Sequence, residues 1–412
     1  MKNYKKITLK CGVPLYLFND SSLKQTFVNY IVKYGSSGEY FDYILDGKKY
    51  HVSPGYAHYL EHLLVEHSKY GDIYNNFSRR YYETNAYTAL DHTSYFFYGV
   101  DDVKKSIKEL IEAIEIPVFN KKDVNQTRHA IEEEATSRCD EPLDLINCLT
   151  LRNLYKDFEY IDETLSYIGN RETTKNIIID KLIDCYNAFY SDYKNKVLVI
   201  VGNVNEKELV DYLNEIYANI HKKNHSLILP KYNYGPLRKV DDVLNRDNAK
   251  NMHSFGIKVE KLDNVSTRDM NFVLYLNLGY IFYGDYYNDL KNKGIIDARY
   301  DAYLHNNGNC HSFIDIYSSS KGEEYLKRIL DKLNKKDLTK DEYELLKKTM
   351  LADEVRKLDN KYNPAYKFGD RMFKTYDYSD IDYIRSKTYD EYKDINNRVD
   401  FNTYTKCVGK RG

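Results

Sequence analysis

Hydrophobic and polar residues recur along the chain with two periods that follow each other in a regular order. A period of two predicts β-strands, and apolar residues three and four apart predict amphipathic helices. In the first half the pattern predicts strands over residues 6–18, 26–34, 93–100 and 196–204, and helices over residues 54–68, 102–115, 121–138, 142–156, 172–190 and 205–220. In the second half it predicts strands over residues 254–259 and 311–320, and helices over residues 266–279, 284–294, 321–334 and 339–359.

Residues 221–248 interrupt this alternation. The segment is polar, contains Pro230 and Gly235, and has no helical period, which is typical of a linker. We therefore predict an α+β protein with two halves, residues 1–220 and 249–412, joined by this linker. The second half repeats the strand–helix order of the first loosely, which suggests an internal duplication without visible sequence identity.

Composition narrows the class of protein. The chain has 412 residues, of which 42% are hydrophobic and 30% charged, as in ordinary globular proteins. Lys and Arg number 61 against 62 Asp and Glu, a balance that argues against a nucleic-acid partner. No run approaches the roughly 20 apolar residues of a membrane span. The first residues lack the apolar region of a secretory signal, and the six cysteines are far apart, so we predict reduced thiols and a cytoplasmic location.

One group of residues has a spacing that suits metal binding. Within the predicted helix over residues 54–68, for which Ser53 is a suitable N-cap, lie His58, Glu61 and His62. Residues four apart on a helix lie on the same face, so the two imidazoles can bind one metal ion, with the carboxylate beside them. This H-x-x-E-H order is the inverse of the H-E-x-x-H zinc signature. His67 lies off that face, and we predict that it forms a surface pair with Glu66.

A catalytic zinc site takes three protein ligands and keeps one position open. The helix supplies two, so the third must come from elsewhere in the chain. Glu132, Glu133 and Glu134 are consecutive carboxylates in a later predicted helix, and on local grounds all three are candidates.

Two further blocks follow the first. After Gly55-Tyr-Ala-His-Tyr-Leu-Glu-His come Asn85-Ala-Tyr-Thr with Thr93 and Tyr95, and then a helix with Glu134, Asp140 and Pro142. In this order the blocks resemble the pattern of the pitrilysin (M16, inverzincin) metallopeptidase family. The resemblance spans residues 55–142 closely, continues through the first half and becomes faint in the second.

The resemblance implies a role for each matching residue. His58 and His62 match zinc-binding histidines, Glu61 matches the general base, and the distance to Asp140 and Pro142 selects Glu134 as the third ligand of one Zn²⁺ per chain. Asn85, Ala86 and Tyr87 match the strand edge that pairs with an extended peptide. The fold implied is two similar halves, each an antiparallel-rich sheet backed by helices, that enclose a chamber like a clam shell.

Two departures qualify the match. Thr127 stands where active relatives usually have a second glutamate, seven residues before the third ligand. In the second half, Asp289 to Ile296 is the best match to a substrate-clamping motif, with Lys291 at the position of an arginine and no tyrosine where expected unless Tyr300 takes that role.

These departures make the chain similar to the zinc-bearing subunit of bacterial heterodimers whose partner lacks H-x-x-E-H; a homodimer is the other option. The resemblance thus implies a zinc endopeptidase for short or unfolded peptides, with maturation of a small bacterial peptide as a suitable role. The alternative is a non-catalytic structural or peptide-binding subunit.

Overall fold

The computed structural model describes residues 4–100, 103–155, 168–221, 223–230, 235–246, 252–282, 285–307, 310–359 and 380–411. The chain divides into two compact units. The first comprises Met1–Thr136, Tyr167–Tyr232 and Lys357–Tyr378, and the second comprises Ser137–Ser166, Asn233–Arg356 and Ser379–Gly412.

The described strands, in chain order, are β1 (Lys5–Thr8), β2 (Pro14–Asn19), β3 (Gln25–Val32), β4 (Asp42–Leu45), β5 (Lys48–His51), β6 (Glu83–Thr88), β7 (Thr93–Val100), β8 (Lys196–Gly202), β9 (Leu227–Ile228), β10 (Asp241–Arg246), β11 (Met252–Glu260), β12 (Ala298–Asn307), β13 (Cys310–Ser318) and β14 (Tyr404–Arg411). The described helices are α1 (Tyr56–Glu66), α2 (Ile73–Ser78), α3 (Lys104–Glu115), α4 (Lys121–Asp140), α5 (Pro142–Leu154), α6 (Arg171–Lys175), α7 (Ile179–Phe189), α8 (Glu206–Ala218), α9 (Thr267–Phe282), α10 (Asp285–Asn292), α11 (Gly322–Lys335), α12 (Lys340–Asp359), α13 (Ile381–Ser386) and α14 (Tyr389–Arg398).

The main sheets of the two units share one topology. The first unit contains a sheet in the order β1-β2-β8-β3-β7-β6, and the second a sheet in the order β10-β14-β11-β13-β12. Numbered along the chain within each unit, β2, β3, β6, β7 and β8 lie in the same spatial order, 1-5-2-4-3, as β10 to β14. In both sheets, the strands that come first and last along the chain among these five pair in parallel. The other neighbouring strands pair antiparallel. The predicted fold class is therefore confirmed, and the repeat appears as shared topology.

The predicted and observed strands differ where a strand pairs with a partner distant in sequence or consists largely of polar residues. The run over residues 6–18 is two strands, because a turn in which Gly12 takes φ +102° separates β1 from β2. The predicted linker contains β9, which pairs with β4, and β10, which pairs in parallel with β14. The polar strands β12 and β14 lack a clear two-residue period and were not predicted. Helix α5 groups with the second unit.

Helix α1 occupies a central place in the first unit. Nine of its residues, from Tyr56 to Val65 apart from His62, are buried, and Tyr59, Leu60 and Leu63 belong to the main hydrophobic core. The helix begins later than predicted: Gly55, not Ser53, is the N-cap, with φ +99° and without a side chain to bond the first turn. A left-handed backbone favours glycine. A Cβ there would also lie 3.2 Å from the Ile168 carbonyl oxygen, so Gly55 fixes where the helix enters the core.

Across the described residues, no helix combines the length and the apolar character that crossing a bilayer requires.

Candidate active site

Helix α1 presents its two histidines one turn apart on one face. The imidazole rings are nearly perpendicular, at 89°, with centroids 4.8 Å apart. Their Nε2 atoms face each other at 3.3 Å. His58 is almost fully buried and His62 retains some exposure. The spacing seen in the sequence therefore brings two imidazole nitrogens to one point.

Helix α4 brings a carboxylate to the same point. The Oε2 atom of Glu134 lies 3.2 Å from His58 Nε2 and 3.5 Å from His62 Nε2. Of the three consecutive glutamates, Glu133 faces away and pairs with His129 on an exposed part of the helix, at 3.4 Å. Glu134 is thus the carboxylate that the structure places beside both histidines.

The three donor atoms fit a tetrahedral zinc ion. With zinc–ligand bonds of about 2.05 Å, two ligands at the tetrahedral angle are about 3.3 Å apart. The three donor–donor distances are 3.2, 3.3 and 3.5 Å. Among the described residues, this is the group of histidines and carboxylates whose donor atoms converge in this way. Two nitrogens and one oxygen are also a common donor set for catalytic zinc.

The carboxylates around His62 affect its protonation. Burial disfavours the imidazolium, but the hydrogen bonds with Glu134 and Glu66, helped by the charge of Glu61, outweigh it and raise the pKa of His62 to about 10. The surrounding carboxylates therefore favour a proton on His62. A metal ion must displace that proton, because a histidine ligand binds in its neutral form.

Glu61 lies next to this group and is held from a strand. The Oγ1 atom of Thr88, at the end of β6, donates a hydrogen bond to Glu61 Oε2 at 2.7 Å. Glu61 is only 5% exposed, so this hydroxyl is an important partner of a buried carboxylate. The bond occupies one carboxylate oxygen and leaves Oε1 for another proton donor.

The predicted surface pair of Glu66 and His67 is wrong. Glu66 Oε1 lies 2.7 Å from Nδ1 of His62, four residues earlier on α1. His67, where α1 ends, turns instead to α4, with its Nε2 2.9 Å from Thr127 Oγ1 and its Nδ1 3.5 Å from Asp123 Oδ1. Thr127, which stands where active relatives usually have a glutamate, therefore contacts His67. The carboxylate beside Nδ1 of His62 is that of Glu66, on the same helix.

Strand β6 forms an edge of the first sheet as described. It pairs with β7 along Glu83 to Thr88 and is the last strand in the order. Asn85 is exposed, and its Oδ1 accepts a hydrogen bond from the Ala86 N–H at 2.9 Å. Tyr87 points its hydroxyl to His92 Nε2 at 3.2 Å. Of the predicted peptide-binding residues, Asn85 and Ala86 are thus hydrogen-bonded to each other at this edge.

Tyr74, on α2, lies close to the same edge. Burial, and then the charges of Glu61 and Glu66, raise the pKa of its phenol, while a hydrogen bond with the backbone of Ala86 opposes the shift. The phenol therefore stays protonated beside two carboxylates. No motif in the sequence indicated Tyr74, because its position depends on how α2 packs against β6.

The predicted clamp residues lie in the second unit. Lys291 is exposed in the last turn of α10. Tyr300 is 48% exposed and lies in β12 where the register with β13 shifts, between Arg299 and Asp301. Their role in substrate binding stays a prediction.

Two side chains that support the site were missed from the sequence. Thr88 was visible as part of a motif, but its contact with Glu61 depends on the fold. Glu66 could have been found, because a carboxylate four residues after His62 must share its helix face.

Comparisons with known proteins agree with the geometry. The model of the Insulinase (Peptidase family M16) domain matches residues 49–164, and the model of the Peptidase M16 inactive domain matches residues 176–350. Two curated relatives are described as uncharacterized zinc proteases. YmfH of Bacillus subtilis is 28% identical over 204 residues, which are 50% of this chain and 46% of YmfH. ML0855 of Mycobacterium leprae is 27% identical over 172 residues, 40% of this chain and 37% of ML0855. The matches thus span less than half the length of these relatives.

Solved structures show the same fold. An M16-like peptidase from Alicyclobacillus acidocaldarius superposes with a TM-score of 0.85 at 18% identity, covering 98% of this chain and 97% of that one. A protease from Helicobacter pylori gives 0.78 at 19% identity over both whole chains. Pitrilysin gives 0.73 at 18% identity, and the match covers 99% of this chain but 45% of pitrilysin. The fold and the group of His58, His62 and Glu134 define an α+β protein with a candidate metal site. The chain belongs to the M16 peptidase family.

Proposed function

We propose that this chain is a zinc-dependent endopeptidase that hydrolyses short or unfolded peptides. The observation that carries the proposal is the convergence of His58, His62 and Glu134 at distances that suit one tetrahedral ion, with Glu61 alongside. The names of the curated relatives, both zinc proteases, support the choice of metal.

The residues divide the chemistry between them. A zinc ion held by His58, His62 and Glu134 would supply the Lewis acidity for attack on a peptide carbonyl. Glu61 accepts the proton of the attacking water at Oε1, since Oε2 is held by Thr88. The same carboxyl group then returns the proton to the departing amine. The edge of β6 aligns the peptide in extended form, since main-chain pairing gives affinity with little dependence on sequence.

The test combines metal analysis with a variant of the base. The purified chain should hold about one zinc per molecule and cleave an unfolded peptide. Glu61→Gln should keep the zinc and lose at least about 100-fold in rate, the usual contribution of a general base. Cleavage that persists unchanged in Glu61→Gln would show that the proposed base is wrong.

A non-catalytic peptide-binding subunit is the second candidate. The match of residues 176–350 to the M16 inactive domain favours it. That match begins in the last part of the first half and continues into the second, and it does not include His58, Glu61, His62 or Glu134. A chain that binds zinc and a peptide but cleaves nothing, alone or with a partner, would favour this candidate.

We further propose that the chain works with a second M16 subunit that lacks H-x-x-E-H, or as a homodimer. The exposed lysine at the clamp position supports a partner, because a point charge does not replace the forked donors of an arginine. Peptide maturation in the cytoplasm fits this arrangement. Cys11, Cys148, Cys185 and Cys407 are free thiols, which supports a reducing compartment.

A further inference from the structure

The metal-binding histidines differ in how their second ring nitrogens are held. His62 Nδ1 lies 2.7 Å from Glu66 Oε1. His58 Nδ1 is buried without a hydrogen-bond partner among the described residues. When Nε2 of a histidine binds a metal, Nδ1 carries the proton, and an acceptor at that proton fixes both the tautomer and the ring orientation. One histidine of the site therefore has such an acceptor and the other does not.

The acceptor comes from the helix that carries the ligands. His58, His62 and Glu66 follow each other at intervals of four residues, so their side chains form one column along α1. The Glu66 side chain is 27% exposed and that of His62 17%, which places their contact at the margin of the buried site. At this depth the hydrogen bond is partly shielded from competing water and can hold the ring.

Other carboxylates near the site have different partners. Asp123 of α4 contacts His67, and Glu61 is held by Thr88. The carboxylate that meets Nδ1 of a metal-binding histidine is therefore that of Glu66.

We propose that Glu66 is the positioning residue of the metal site: it accepts the Nδ1 proton of His62 and holds the Nε2 atom toward the ion. The inference rests on the proposed zinc function and goes beyond it, because it assigns the metal affinity in part to a residue that touches no metal. Loss of an acceptor of this kind typically weakens metal binding by about 10–100-fold.

The experiment measures zinc affinity rather than activity. The full chain is stripped of metal and titrated with zinc against a chelating dye at constant pH. Glu66→Leu removes the acceptor while keeping a good helix former, and we expect its zinc dissociation constant to rise about 10–100-fold. Glu66→Gln keeps an acceptor oxygen without the charge, and we expect a smaller rise.

Glu133→Leu is the matched control. Glu133 also pairs with a histidine four residues away on a helix, His129, but both side chains are exposed and lie apart from the site. Its zinc affinity should stay at the wild-type value. Far-UV circular dichroism of each metal-free variant shows whether the fold is retained. With cobalt in place of zinc, the visible spectrum of Glu66→Leu should shift, because the ring of His62 is no longer fixed, while that of Glu133→Leu should not.

The outcomes separate this inference from the proposed function. If the wild-type chain binds no zinc, the proposed function fails. If it binds zinc and cleaves peptide, but folded Glu66→Leu binds zinc within twofold of wild type with an unchanged cobalt spectrum, only the role of Glu66 is overturned. An equal loss in Glu133→Leu would likewise refute a specific role for Glu66.

Discussion

The hydrogen bond from Thr88 to Glu61 links the proposed peptide-binding edge to the proposed base, and its removal should reduce the rate of cleavage. Thr88→Val keeps the shape of the side chain but leaves Oε2 of a carboxylate that is 5% exposed without its hydroxyl donor. A hydrogen bond to a charged group is worth about 1.5–3 kcal/mol. If that energy serves to place Glu61 in the transition state, the rate falls by about 10–150-fold.

The assay is steady-state cleavage of a quenched fluorescent peptide by zinc-loaded protein. We expect the loss in kcat with the zinc content unchanged, because the hydroxyl of Thr88 contacts Glu61 and Thr93 rather than the metal-binding side chains. Thr88→Ser keeps the donor and should recover most of the rate. A wild-type rate in Thr88→Val would refute the reasoning, and so would a loss of zinc that accounts for the whole effect.

Two predictions concern stability. Burial raises the pKa of Asp315 to about 7, against about 3.9 in an unfolded chain, so its contribution to stability is complete below pH 4 and is lost as the pH rises to 7. Between pH 5 and 8 this amounts to about 2–3 kcal/mol, and urea unfolding of Asp315→Asn should lack that loss; an equal pH dependence in both proteins would contradict it. Lys196 and Glu115 form a fully buried ion pair at 2.7 Å. Lys196→Met should cost about 3–5 kcal/mol in the same assay, and adding Glu115→Gln should recover part of the loss; a loss under 1 kcal/mol would contradict a critical pairing.

The sequence was most informative where the chemistry is local. The two histidines and Glu61 lie within five residues of one helix, so helical periodicity alone placed them together. The segment containing Glu134 could be found as a helix, but three consecutive glutamates were equivalent on local grounds. The rotation of α4 against α1 distinguishes them, and that rotation depends on packing that no local pattern contains. The resemblance to a known family supplied the missing information.

The remaining differences have the same origin. Strand β10 was assigned to a linker because its partner, β14, lies some 160 residues later, and a polar strand of this kind has no period of its own. The N-cap at Gly55 was missed because Ser53 and Pro54 form a typical helix start. The left-handed turn that delays the helix lies where a side chain at position 55 would crowd the Ile168 carbonyl oxygen, which no local pattern shows. Glu66 was misassigned because its neighbour His67 is adjacent in sequence but turns to another helix.

Helix α1 carries both imidazoles, the proposed base Glu61, and Glu66, which lies against the ring of His62. Local opening of this helix would therefore displace these four groups in one event, rather than one after another. An ion that ties this helix to α4 opposes that opening, since a ligand that binds the closed form makes the open form rarer. The amide hydrogens of this segment should thus exchange with solvent more slowly as the metal concentration rises. When the metal is removed, we expect peptide cleavage and the local order of this helix to be lost together.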